Sequence, residues 1–496
     1  MIFAGALCAL LAWWSTRPPG RLAIDPNLLW LLGAGLAGRL VLGIWGPLHI
    51  NGQGPLWISA AFSHPEALHA YGPGYPEIFH AVTLLAPTAP DLALFAFNAL
   101  LGACIPLAGY GLAKAMQLGG HRPLLIGALF ALEPVALRTG ATEGYFSVIT
   151  LLATGTALAI FGSMNRIEQQ RWTAAALFGL AALLLAGQAV RIHPAAWLLI
   201  ALAPLAASCA PWPYGWKRRA LSTFGWLAVV GLACVVLGGA TMADTLTAML
   251  DGSTNTIYSL TQLRPGPSAM AFLTVLALLA ALPWTRPRAP LVLTCLVLLA
   301  WNATRSIYEQ NPLWQASYDR MFWPFFIPGL TVLLARGSWK RSITWTVAAA
   351  ACVLLLLVSF GALTVPTTEQ LEYRFWRQHF ATIPGQCRIV VPRQVRTGVP
   401  GVPHFVAANS PRVQEPTPTV ATGADLPREL DRYPCLYFVH VSGCSSPLQA
   451  PICSQIEQSP LMHEVTRTAL PARHTSSVPY ITDPVDIVLY RVLHGP

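Results

Sequence analysis

Apolar runs of about twenty residues recur through the first three quarters of this chain, and few of them contain a charge. A run of that length matches the hydrocarbon thickness of a bilayer. None shows the period-2 alternation of a barrel strand, and a spanning segment must satisfy its own backbone, so the runs read as membrane helices. The clearest cover residues 28–46, 91–113, 123–138, 144–163, 173–189, 194–209, 221–241, 267–284, 289–304, 321–336 and 342–363. An apolar stretch over 1–16 is a candidate twelfth span; it lacks the basic start and small-residue cleavage site of a signal peptide. The fold class expected is mainly α: a polytopic transmembrane helical bundle of about 11–12 spans, with a soluble α/β domain after residue 364. Charged residues make up 10% of the chain, against about 25% in soluble proteins.

The formal charge of +10 does not indicate nucleic acid, because the basic residues sit in short clusters between apolar runs. Arg17 and Arg21, Lys114 and Arg122, Arg166 and Arg171, Lys217 to Arg219, Arg286 and Arg288, and Arg336 to Arg341 all fall on one side if the spans alternate. That side is expected to be cytoplasmic. The opposite, exoplasmic side receives the long first loop 47–90, the turns near 138–143 and 189–193, the loops 242–266 and 305–320, and residues 365–496. The expected location is a cell inner (plasma) membrane, crossed many times, with a periplasmic C-terminal domain.

After residue 364 apolar density falls and Pro, Thr and Ser rise. Residues 368–380 read as a helix with Leu371, Phe375 and Phe380 on one side, and 388–392, 436–441 and 486–492 read as strands. Six cysteines (Cys8, Cys104, Cys209, Cys234, Cys295 and Cys352) lie in or at the ends of apolar runs, where cysteine is a small hydrophobe. Cys387, Cys435, Cys444 and Cys453 lie in the tail, where an exoplasmic setting favours two disulfides of open connectivity. Zinc is the rival reading, but there is no C-x-x-C pair and His440 and His463 are poorly spaced for it.

Ionisable residues at the exoplasmic ends of the spans are the candidates for chemistry. The first loop carries His49, Asn51 and Glu66, then turns through Tyr71-Gly-Pro-Gly-Tyr-Pro-Glu-Ile-Phe-His80 into an apolar helix over 77–88. Beyond it come Glu133, Arg138 and Glu143, then Arg191 and His193, then Arg320 in Tyr318-Asp319-Arg320-Met321-Phe-Trp-Pro. Each has a plain alternative: Glu143 can simply open a helix at its positive end, and each arginine can snorkel to headgroups. Three arginines on one face suit a phosphate, which the guanidinium meets with fork geometry.

This layout resembles the GT-C superfamily of integral-membrane glycosyltransferases, in particular the protein mannosyltransferase and aminoarabinose transferase branch. The likeness is carried by a first span, a long exoplasmic loop, its Tyr-Pro-rich turn, and Arg320-Met-Phe-Trp-Pro-Phe-Phe-Ile-Pro328 opening a late span. The resemblance implies transfer of a sugar from a polyprenyl-phosphate-linked lipid donor to an exoplasmic acceptor (glycan, lipid or protein). It implies donor-phosphate binding by Arg138, Arg191, His193 and Arg320, and an acidic general base in the first loop. Where that acid is expected, the chain reads His49-Ile50-Asn51-Gly52. The role then passes to Glu143, Glu66 or His49, with Asn51 left to orient a hydroxyl. The residues identify no cofactor; a divalent metal near Glu66 or Glu143 stays open. Two other readings stand beside the enzyme: a catalytically silent relative that binds a lipid-linked glycan or a partner, which Asn51 favours, and a transporter or flippase.

Overall fold

The computed structural model describes residues 2–14, 25–45, 73–85, 90–133, 136–137, 144–193, 196–208, 215–238, scattered positions between 342 and 357, 368–393, 419–445, 449–471 and 485–494. The membrane part contributes α1 (Ile2–Trp14), α2 (Pro26–Trp45), α3 (Gly74–Leu85), α4 (Pro90–Ala115), α5 (Arg122–Leu132), α6 (Phe146–Glu168), α7 (Trp172–Ile192), α8 (Ala196–Ser208) and α9 (Trp216–Gly238). Four of these helices are long and apolar enough to cross a bilayer: those containing Leu92–Ala115, Phe146–Glu168, Trp172–Ile192 and Lys217–Gly238. The expected spans at 267–284, 289–304 and 321–336 lie outside the described residues.

Small residues bring these helices together, because a bilayer offers no hydrophobic gain for packing one apolar helix on another. On α7, Ala181, Ala182, Ala186 and Ala189 are fully buried, and α1, α3, α6, α8 and α9 all pack against this helix. Gly5 of α1 lies against Leu184 and Leu185, Gly162 of α6 against Phe178, and Gly187 against Leu237 of α9. Several hydroxyls within the bundle are satisfied by nearby backbone carbonyls. The Thr150, Thr154 and Thr156 hydroxyls donate to the carbonyls four residues back at 2.7, 2.7 and 2.8 Å, and Ser163 donates across to Ala175 at 2.9 Å. The α6–α7 hairpin turns through Gln170 in the left-handed region (φ 56°).

Basic residues mark one end of the bundle. Lys114, at the end of α4, pairs with Asp25, ahead of α2, at 3.1 Å, and the Tyr110 hydroxyl donates to the same carboxylate at 2.6 Å. The chain before α2 and the 114–122 loop therefore share a face, as the Lys/Arg distribution requires.

The C-terminal region is α10 (Thr368–Phe380), β1 (Arg388–Pro392), β2 (Thr419–Val420), α11 (Asp425–Leu430), β3 (Leu436–His440), α12 (Ala450–Glu457), β4 (Met462–Leu470) and β5 (Val485–Val492). Its mixed sheet has the order β2-β1-β3-β5-β4, with β1 parallel to β2 and β3, and the remaining pairs antiparallel. Alternate strand residues face two cores. Val390, Phe438, Val488 and Tyr490 pack with Leu426, Leu430 and Ile456. Ile389, Val391, Val439, Ile487 and Leu489 pack with Tyr373, Trp376 and Phe380 of α10. The buried stripe of α10 is thus Glu372, Tyr373, Trp376 and Phe380, with Leu371 and Phe375 half-buried beside it. Disulfides join Cys387 to Cys435 and Cys444 to Cys453. Tyr373 meets Phe95 of α4 edge to face, ring centroids 6.2 Å apart, so the domain sits on the bundle end opposite Lys114.

Candidate functional site

That same end gathers a polar cluster from four stretches of sequence. Arg191 ends α7, and its guanidinium donates to the Glu77 carboxylate on the first turn of α3. Their side chains are 24% and 51% exposed, so both groups remain within reach of solvent or a ligand. An ion pair this open contributes between zero and about 1 kcal/mol, and an incoming anion can displace the carboxylate.

The α3–α7 contact is very close. A Cβ on Gly74 would lie 2.9 Å from the Arg191 carbonyl carbon and 3.0 Å from its oxygen, so the position accepts no side chain without separating the helices. Gln188, one turn back on α7 and buried, donates to the Gly74 carbonyl at 3.4 Å. The turn at Pro73 and Gly74 therefore delivers Glu77 to Arg191.

Behind this pair lies an aromatic and amide layer. Tyr75 and Tyr145 are fully buried and His193 is 4% exposed. The His193 ring stacks on Tyr145 at 4.5 Å, and Tyr145 meets Tyr75 edge to face at 6.2 Å. Buried Asn98 of α4 divides its amide N–H groups between the Tyr75 hydroxyl, at 2.9 Å, and the Gly144 carbonyl, at 3.1 Å. One amide thus joins α3, α4 and the start of α6.

Of the residues singled out in the sequence, Arg191 and His193 stand in this cluster. His49, Asn51, Glu66, Arg138, Glu143 and Arg320 lie outside the described residues. His193 is turned into the packed layer, where it supports Tyr145. Sequence reasoning passed over Glu77, Tyr75, Asn98, Tyr145 and Gln188. Of these, Glu77 carried a signal: a carboxylate directly after a Gly-Tyr-Pro turn at a span end. Among the described residues no three His, Cys, Asp or Glu side chains come together as a metal site.

No family model and no curated protein sequence matches the chain; solved structures do resemble it. ArnT from Cupriavidus metallidurans, in its apo state, superposes with a TM-score of 0.50 over 94% of this chain and 98% of that one, at 12% identity. The Archaeoglobus fulgidus oligosaccharyltransferase tethered to an acceptor peptide gives 0.46 over 87% and 71%, at 9% identity. Arabinosyltransferase EmbB from Mycobacterium smegmatis gives 0.38 at 17% identity; the match takes in 66% of this chain but 33% of the arabinosyltransferase, about a third of its length. The ArnT match, nearly end to end in both chains, shows that this chain shares the overall fold of that protein.

Proposed function

We propose that this chain is a membrane glycosyltransferase that takes a sugar from a polyprenyl-phosphate-linked donor and transfers it to an acceptor on the exoplasmic side of a plasma membrane. The observation that carries the reading is Arg191. It is a half-open guanidinium at the bundle end away from the basic loops, held by a displaceable carboxylate in a fold shared with ArnT. Departure of the lipid phosphate builds negative charge, and a fixed cation there lowers the barrier to bond breaking. Arg191 is the phosphate ligand in this proposal, with Arg138 and Arg320 joining it and His193 backing it through Tyr145. The acceptor hydroxyl is a weak nucleophile and needs a carboxylate to take its proton, an assistance worth roughly 10²–10⁴-fold. Glu143, joined in sequence to the anchored Gly144, takes that role ahead of Glu66. Asn51, where the resemblance expects an acid, favours a silent glycan-binding relative as the second reading.

The test is the melting of detergent-purified protein with and without undecaprenyl phosphate, for wild type and Arg191→Ala. Ligand at one hundred times its Kd stabilises the folded state by about 2.7 kcal/mol. The expected outcome is a shift in wild type that Arg191→Ala abolishes. A wild type indifferent to saturating lipid would return Arg191 to the role of an interfacial anchor. Glu143→Gln then separates enzyme from silent relative: loss of transfer at unchanged melting is expected of the enzyme.

A further inference from the structure

Arg39 is a charge buried inside the bundle, 1% exposed and about 9 Å of helix from the end of α2. Two glycines make room for it. A Cβ on Gly102 of α4 would come within 2.5 Å of its Nε, and one on Gly35 within 3.3 Å of a terminal nitrogen. The guanidinium donates to the Gly35 carbonyl at 2.9 Å and, at a long 3.5 Å, to the carbonyl of Ala136. Its Nε has no hydrogen bond among the described residues.

Glu133 is equally buried and lies within electrostatic reach of Arg39. It closes α5, and its carboxylate accepts from the Ala136 N–H at 2.5 Å, while its carbonyl accepts from the Leu137 N–H at 2.9 Å. One residue is therefore gripped on both sides: Glu133 holds its N–H and Arg39 its carbonyl. Leu137 follows and packs on Gly38 of α2. The chain next returns to the described structure at Gly144, whose carbonyl Asn98 holds.

A bare guanidinium at this depth is costly, and such residues in a membrane helix mark function by default. Arg39 is too buried to meet a ligand. Its donors go to backbone carbonyls, Gly35 on its own helix and Ala136 in the stretch that precedes Gly144 in sequence. We propose that Arg39 and Glu133 are positioning residues whose clasp on Ala136 fixes where the chain leaves α5, and that lipid-phosphate binding at Arg191 depends on that fixed point. The inference rests on the lipid-phosphate reading of that site.

The experiment compares wild type, Arg39→Met, Arg39→Lys and Glu133→Ala by amide hydrogen exchange and by the melting shift with undecaprenyl phosphate. Arg39→Met should speed exchange about tenfold at the Ala136 and Leu137 amides, leave α6 and α7 protected, and weaken the lipid response at least fivefold. Arg39→Lys, which keeps a donor and the charge, should restore part of both. Glu133→Ala acts on the other side of Ala136 and serves if Arg39→Met does not fold. Unchanged exchange at Ala136, or a rise spread evenly over the bundle, would overturn the clasp. Local loosening with a lipid response equal to wild type would overturn its positioning role. A wild type that ignores the lipid would instead sink the phosphate reading, while exchange still decides whether the clasp exists.

Discussion

The bundle and the C-terminal domain solve the same problem with different materials. In the bundle, helices approach over alanine and glycine, threonine hydroxyls of α6 return to their own helix, and Cys8, Cys104 and Cys234 are free thiols. In the domain, a mixed sheet buries two apolar faces and two disulfides close its loops. The difference follows the surroundings. Lipid rewards close contact and internal hydrogen bonding but supplies little hydrophobic drive, whereas a small water-exposed domain depends on burial and covalent closure. Both regions nevertheless keep one acidic side chain fully out of solvent, Glu133 in the bundle and Glu372 in the domain, each engaged by backbone N–H groups.

The sharpest way to separate the regions is reduction. Cys387–Cys435 closes a loop of 48 residues and Cys444–Cys453 one of 9, so chain-entropy arguments assign them about 4 and about 2.5 kcal/mol. Replacing Cys387 and Cys435 by Ser should lower the domain's melting transition, followed by hydrogen exchange of the β3 and β5 amides with temperature, far more than that of the bundle. A bundle transition that moved equally would show the two melting as one unit. The reverse experiment overfills the bundle. Gly187→Leu forces a side chain where a Cβ already comes 2.4 Å from Leu237, at a cost of about 1–3 kcal/mol, and should leave the domain's own transition unmoved.

A third contrast is in pH. Burial pushes the Glu372 carboxyl above its ordinary range, against the opposing bonds from Ser442 and Trp376. An acid raised in the folded state binds its proton more tightly there, so it stabilises the domain at low pH. That contribution is lost as pH climbs from the ordinary glutamate value through the raised one. Glu372→Gln should flatten this part of the domain's pH–stability curve, measured by chemical unfolding. Asp25 at the basic end behaves oppositely. The Tyr110 hydroxyl, the Asn27 N–H and Lys114 hold it at about 2, so its contribution is present above the ordinary aspartate value and fades as pH falls toward 2. Lys114→Ala is the smallest effect expected, below about 1 kcal/mol for an open pair, detectable as a slight fall in bundle melting at low salt.

Much of the frame was legible because it is periodic. The apolar runs at 91–113, 144–163 and 173–189 became α4, α6 and α7 with ends shifted by a few residues, and 368–380, 388–392 and 436–441 became α10, β1 and β3. Legibility failed where a residue's meaning depends on a distant partner. Asn98 sits in an apolar run and reads as a tolerated polar residue, yet it bonds Tyr75 and Gly144, 23 and 46 residues away. Glu77 meets Arg191 across 114 residues. On α10 the sequence put Leu371, Phe375 and Phe380 on one side; Phe380 is buried, but Leu371 and Phe375 are only half-buried and the stripe rotates to Tyr373 and Trp376, where Glu372 bonds Ser442 across the fold. Strand β4 went unread because an edge strand exposes both faces, and Met462–Leu470 mixes charge with apolar residues accordingly.

The contact between Phe95 and Tyr373 also dictates a chronology. Phe95 enters the membrane early in synthesis, long before Tyr373 is made, and Tyr373 belongs to a domain stapled by bonds that form in an oxidising compartment. One turn along the same helix, Asn98 ties α3 and α6 together. All three of these helices are made while the neighbouring face of α4 is still uncovered. The folded domain can cover that end only after the helices beneath it have been made.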